Sequence, residues 1–481
     1  MSELTVPAAP PPPSGQPSGH DYLGAALFMA AALLATVGIL AGERLILNIA
    51  LAPMLAFLLL EFRSMPLLQA GSALVLLGTG LTMLAIHGGM FEGILAGGRG
   101  AMDLLLLFAG VTFMQYPALH SPSMRRLSAY VANQTPGRRY LALSISAHIL
   151  GSLINLAALA LLAGTFTRPM PTDTRQRMVA AIMRGFSTAA SWSPFFIGIT
   201  VILTVVPQLS WSQFAPWGFA LAIVQLATGF FWDRLRNPRR SMQAQVETVS
   251  GVGQALRRIA PLAALLAAVP VGAELAHLPM SVVIVLFVPP ISLLWQAVIA
   301  RGSASNREED ESRGDFHGDF RGMSARVITG LAGMRTEVLM FLAANILGQG
   351  TARLFEGPEL AAWLQGAGLT GWVAIALLLT VMTGFAALAV HPVVLVVLVG
   401  QAIAPQAVHI APSTMALIMA ATWSLGVSVS PLSGLTLYIS RVAQQRLLQT
   451  SLFGNGGYVM VALVACIAFI GMHEEIMRML R

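Results

Sequence analysis

The sequence contains no lysine: all 28 of its basic residues are arginine. We read this as the base composition of a GC-rich bacterial genome, not as a functional choice. One cysteine is present, Cys466, inside an apolar run, which excludes a disulfide framework and a cysteine metal cluster. Charged residues make up 10% of the chain, where a soluble protein carries roughly a quarter. The nine histidines fall into no HxxxH-type spacing, so no metal site is expected. Carboxylates are missing from three long stretches, 140–172, 179–232 and 370–440. No paired carboxylates and no Ser-His-Asp set appear either, so the chain does not read as an enzyme.

What is present is apolar. Hydrophobic residues reach 56% and the mean hydropathy is +0.74. Apolar runs of about 18 to 25 residues recur along the chain, the signature of membrane spans. The fold class is therefore all-α integral membrane, with about eleven transmembrane helices. The net charge of +7 is no nucleic-acid signal, because the arginines sit in short loops between apolar runs. Residues 1–20 are polar and Pro-rich and read as a disordered cytoplasmic tail without a signal peptide. A glycine-rich loop is expected over Gly88–Gly100, ahead of a span over Ala101–Tyr116.

Two apolar runs are broken internally and read as re-entrant hairpins, 140–166 at Gly151, Ser152 and Asn155, and 372–404 at His391-Pro392. With the hairpins not crossing and the N-terminus in the cytoplasm, 22 arginines lie inside and 5 outside, with Arg335 near a span start. That places the chain in a bacterial inner membrane, its partner the lipid bilayer.

The sequence also repeats. Ser191-Trp192-Ser193-Pro194 recurs as Ser428-Val429-Ser430-Pro431, with Ser187 and Ser424 seven residues before each proline. Pro194 and Pro431 stand 237 positions apart (431 − 194), Asn155 and His391 236, and Asp103 and Glu337 234. Each copy would hold five crossings and a hairpin, and an odd number inverts the second copy. The expected layout is an extra span (21–43), repeat 1 (44–240, broken helix 179–206), a basic linker (241–258) and repeat 2 (259–475, polar loop 301–326, broken helix 414–440).

Proline in a span frees a carbonyl one turn back, and lipid cannot satisfy it. Around Pro194 the available groups are Ser187, Thr188, Ser191 and Ser193; around Pro431 they are Thr422, Ser424, Ser428, Ser430, Ser433 and Thr436. Hydroxyls and free carbonyls suit a small cation, with sodium at Ser191, Ser193, Ser428 and Ser430 as the candidate coupling ion. Half-helix N-termini suit an anion. The plainer reading is a hydroxyl bonded back to its own helix. His391 is a candidate proton switch or substrate donor, with a packing histidine as the alternative. Arg184 and Arg441 are candidates to neutralise an anion, against the reading of topology anchors. Asp103 and Glu337 read as span-end residues that are solvated or capping.

This order of scaffold spans, hairpin, broken helix, span and an inverted copy resembles the ion transporter superfamily, which includes divalent anion–sodium symporters and arsenite, citrate and dicarboxylate permeases. The resemblance covers about residues 44–475. The Ser-Asn-Thr hairpin tips of the symporter branch are replaced here by Gly151-Ser152-Leu153-Ile154-Asn155 and Ala389-Val390-His391-Pro392. The resemblance implies a homodimer in which a transport domain moves against a scaffold. The expected function is secondary transport of a small anionic solute, sodium-coupled and elevator-type. The alternatives are a membrane enzyme acting on lipid-linked substrates and a proton-coupled exporter.

Overall fold

The computed structural model describes residues 17–132, 134–166, 170–237, 252–305, 320–355 and 359–480. Most of the expected tail, the linker up to residue 251 and the acidic run Glu308–Glu311 lie outside them. Among the described residues the chain is helical, with no strand. The first half runs through α1 (Gly19–Ala41), α2 (Arg44–Glu61), α3 (Leu67–His87), α4 (Met90–His120) and α5 (Pro122–Ala132). It continues with α6 (Pro136–Ile154), α7 (Ala157–Ala163), α8 (Thr172–Thr188), α9 (Ile197–Val205) and α10 (Trp211–Arg236). The second half holds α11 (Val252–Leu275), α12 (Met280–Ser305), α13 (Phe320–Gly333), α14 (Arg335–Leu354) and α15 (Glu359–Gly366). It ends with α16 (Gly371–Ala387), α17 (Pro392–Ala402), α18 (Pro412–Val429), α19 (Gly434–Val442) and α20 (Gly454–Met479).

Among the described residues ten helices or helix runs are long and apolar enough to cross a membrane, and the protein is a multi-pass membrane protein. The eleventh expected crossing, 179–206, is the α8–α9 pair, of 17 and 9 residues, so neither half spans by length alone. The α15–α16 pair is bent by 104°. Both hairpin runs break where their sequences do. The α6–α7 break falls at Asn155, whose φ is +49°, and the α16–α17 break falls over Ala389, with φ +75°, and His391.

Two expectations need correction. The glycine-rich segment 88–100 is no loop: α4 begins at Met90 and runs unbroken for 31 residues. Its glycines are packing surfaces. A methyl group on Gly97 would stand 2.8 Å from Ile346 and one on Gly98 2.6 Å from Leu51, so the small side chains let helices close on one another. The polar loop 301–326 is likewise shorter than expected, because α12 continues to Ser305 and α13 starts at Phe320.

The helices form an outer and a central set. In the outer set α3 lies on α14, α12 lies on α4, and α4 packs against α14 between them. Gly80 and Gly350 meet at the α3–α14 crossing, where a methyl on Gly80 would fall 2.6 Å from the Leu347 nitrogen. The extra span α1 packs on α2, α4 and α13. Buried Glu61 fastens its N-terminal end, 3.1 Å from the Arg335 guanidinium and 3.4 Å from His20 Nδ1. In the central set α6 packs on α8, α16 on α18, and α10 on α20. The apolar 18-residue stretch of the α18–α19 run is 83% buried against 22% for that of the 69–87 helix; at the second proline break Ser430 and Ser433 are buried and Pro431 is half-buried.

Candidate functional site

The two broken helices meet in the interior. The Oγ of Ser428 on α18 lies 2.7 Å from the Oγ of Ser187 on α8, and both residues are 1% exposed or less. Ser187 Oγ in turn donates a hydrogen bond to the Arg184 carbonyl one turn back, at 3.1 Å. A second link runs through α10. Gln225 Nε2 donates to Ser424 Oγ at 2.8 Å, and Ser191 Oγ donates to Gln225 Oε1 at 3.4 Å. Tyr458 OH closes on the Gln225 carbonyl at 3.3 Å. One amide thus joins the first break to the second helix.

The first hairpin is tied to the first break by reciprocal bonds. Ser193 Oγ donates to the Ser152 carbonyl at 2.6 Å, and Asn155 Nδ2 donates to the Phe195 carbonyl at 3.2 Å. His148 Nδ1 stands 2.9 Å from Thr188 Oγ1, and Trp192 Nε1 meets His148 Nε2 at 3.2 Å. Pro194 is buried within this contact.

The second break is satisfied differently. Pro431 lacks the N–H that would hold the Val427 carbonyl, and Ser433 Oγ donates to that carbonyl at 2.8 Å. Thr436 Oγ1 does the same for the Ser430 carbonyl at 2.8 Å. For Ser433 and Thr436 the plainer reading therefore holds: they mend their own helix. Thr422 turns toward Met382 of the second hairpin, 3.8 Å away. His391 caps α17, its Nδ1 accepting from the Val393 nitrogen at 3.2 Å, with its ring edge-on to Trp423.

Ser187, Thr188, Ser191, Ser193, Ser424 and Ser428 are therefore drawn together by hydrogen bonds from different helices, with Ser152 and Asn155 on the first hairpin. The bonds link Ser428 to Ser187 and not Ser430 to Ser193.

Three polar residues stand differently from the sequence reading: Gln225 was missed, and Arg184 and Asp103 were read as a topology anchor or anion ligand and as a span-end residue. Gln225 is the one amide in an apolar run, a signal that was there to be used. Arg184 is no surface anchor: it is 5% exposed, and its guanidinium donates to Asn455 Oδ1 (2.9 Å), Tyr140 OH (3.2 Å) and the Gly454 carbonyl (3.0 Å) while lying over the Tyr458 ring. It lines a cavity of about 490 Å³ with Arg177, Asp233, Arg236, Gln445 and Thr450. Asp103, expected near a span end, is the fourteenth residue of α4 and holds the Ser281 hydroxyl at 2.7 Å.

No family model matches the chain, and no curated protein matches it. Solved structures do. The YdaH transporter of Alcanivorax borkumensis superposes with a TM-score of 0.56 at 14% identity, over 84% of this chain and 97% of that one. MtrF of Neisseria gonorrhoeae, described with a class of antimetabolite efflux pumps, superposes with a TM-score of 0.38 at 15% identity, over 77% of this chain and 80% of that one. The first shows a shared fold. The second is too loose to carry an argument.

Proposed function

We propose that this protein is a secondary transporter of a small anionic solute, built from two inverted repeats and coupled to sodium. The observation that carries the proposal is the crossed pairing of the broken helices. An axis relating residues about 237 apart would turn the Ser187–Ser428 contact into a Ser424–Ser191 contact. The first pair touches directly, and the second is joined through Gln225. The outer set supports the same axis, since α3 on α14 answers α12 on α4. Such repeats place the solute site between the copies. Arg184, one turn below Ser187 on the same helix face, favours an anion, because its hydrogen-bond partners are all neutral. The shared fold with a protein described as a transporter is consistent with this reading. The central set would move against the outer one, in a homodimer.

Purified protein in proteoliposomes should accumulate or release small carboxylates under an imposed sodium gradient. Transport that survives without sodium but collapses with a protonophore would replace sodium by the proton in this proposal. Transport of no anion from a panel of mono- and dicarboxylates would remove the anion assignment.

The arginine distribution sets the orientation, with the 301–326 segment cytoplasmic and the C-terminus outside. An alkaline phosphatase fused after Arg481 should be active, and an equally well expressed but inactive fusion would refute this orientation.

A further inference from the structure

Among the described residues the fully buried carboxylates are paired, and the half-buried Asp103 is not. Glu61 faces Arg335 and His20, Asp233 is held by both arms of Arg177 at 2.8 and 2.6 Å, and Glu474 lies 3.4 Å from Arg478. Asp103 has no basic partner among the described residues. Ser281 Oγ donates to one of its oxygens at 2.7 Å, and Thr204 Oγ1 lies 3.3 Å from the other while also donating to the Thr200 carbonyl at 2.9 Å. A carboxylate accepts about four hydrogen bonds, so about half its capacity is left over. A partly buried charge in a membrane protein calls for a counter-charge. The N-terminus of α12, where Ser281 sits, supplies only about half a unit of positive charge.

Asp103 opens onto a cavity of about 400 Å³, which Thr200, Thr204 and Ser281 line with it. Thr200 is a second, independent pointer. It is 5% exposed, and its hydroxyl has no hydrogen-bond partner. It stands in the first turn of α9, which begins at Ile197. The cavity thus sets the hydroxyls of Thr200, Thr204 and Ser281 around Asp103, from three helices, with Ser210 and Glu274 also on its wall.

We propose that Asp103, Thr200, Thr204 and Ser281 form the seat of a monovalent cation, sodium. The ligands are hard oxygens, which suit alkali and alkaline-earth cations and not a thiolate- or imidazole-seeking metal. Among these four ligands one negative charge stands with three neutral hydroxyl oxygens, which matches one positive charge. No group of three His, Cys, Asp or Glu side chains is placed to hold a metal among the described residues. Glu274 and His277 also line the cavity, and Glu274 is engaged by the Ser212 nitrogen at 2.9 Å. The seat joins α4 and α12 of the outer set to α9, the second half of the first broken helix. A cation there would draw α9 onto the outer set and release it on leaving. This coupling role rests on the transport reading; the binding itself does not.

The test uses the purified full-length protein in detergent, with sodium exchanged for choline at constant ionic strength. The melting temperature should rise with the logarithm of sodium concentration. Asp103→Asn should abolish that rise, and Ser281→Ala or Thr200→Val should shift the half-effect to about tenfold higher sodium. An unchanged sodium response in Asp103→Asn overturns the seat, as does a parent protein that responds to pH but not to sodium. If Asp103→Asn does not fold, the Ser281→Ala/Thr204→Val double variant decides: a parental half-effect overturns the proposal. Because melting needs no solute, a protein that transports nothing can still confirm the seat, and a protein that transports can still refute it.

Discussion

Replacing Arg184 with glutamine is expected to raise the half-saturating concentration of an anionic solute by roughly tenfold to a hundredfold. The basis is the cost of losing a charge-assisted hydrogen bond, about 1.5 to 3 kcal/mol, which converts to that range. The guanidinium is buried against Asn455, Tyr140, the Gly454 carbonyl and the Tyr458 ring, all neutral. Three bonds leave two of its five N–H groups for a solute. Arg184→Lys keeps the charge without the fork and should recover part of the affinity. Initial rates in proteoliposomes against solute concentration, with melting curves alongside, separate binding from folding. A glutamine variant that melts lower but keeps its affinity would make Arg184 a structural brace and remove it from the site.

The largest loss of stability is expected at Gly185. A methyl there would stand 2.1 Å from the Ser144 carbonyl oxygen and 2.7 Å from the Ser144 Cα. Both obstacles are backbone, so α6 and α8 must separate. The contact they would lose is a continuous ladder: Ser144 to the Ala181 carbonyl at 3.1 Å, His148 to Thr188, Ser193 to Ser152, and Asn155 to Phe195. Gly185→Ala should therefore cost on the order of 3 kcal/mol, at the high end for overpacking, and Gly185→Leu should prevent folding. Gly164→Ala is the control: nothing lies within 4 Å of the added methyl, so its melting curve should match the parent's. Fluorescence-detected size exclusion after a heating series gives the comparison. A Gly185→Ala protein as stable as the parent would show that α6 is loosely seated.

Much of the fold was legible because its constraints are local. Transfer of charge into lipid is costly, so apolar run length marks the spans. Proline cannot donate to a helix, so Pro194 and Pro431 mark the breaks, and the structure places α8–α9 and α18–α19 around them. The break at His391-Pro392 follows the same rule, whereas the break at Asn155 has no proline and turns on a positive φ of 49°. The glycine-rich segment misled for a local reason too. Glycine favours turns in water, but in α4 its missing side chain is used for close helix crossing, at Gly97 against Ile346 and Gly98 against Leu51.

The sequence by itself determined a multi-pass helical membrane protein, the places where its helices break, and the matched spacing of its two Ser-x-Ser-Pro motifs. Only the tertiary structure decided which polar groups meet. Ser433 and Thr436 looked equal to Ser428 in the sequence, yet they turn back to mend their own helix while Ser428 reaches Ser187. Gln225, Arg184 and Asp103 stand 31, 10 and 91 positions from Pro194 and were not read as members of one interior. Helix crossing angles and small-residue contacts set their neighbours, and these depend on every packed pair at once. Local cost can be read residue by residue along a chain; the partner that offsets it is chosen by the packing.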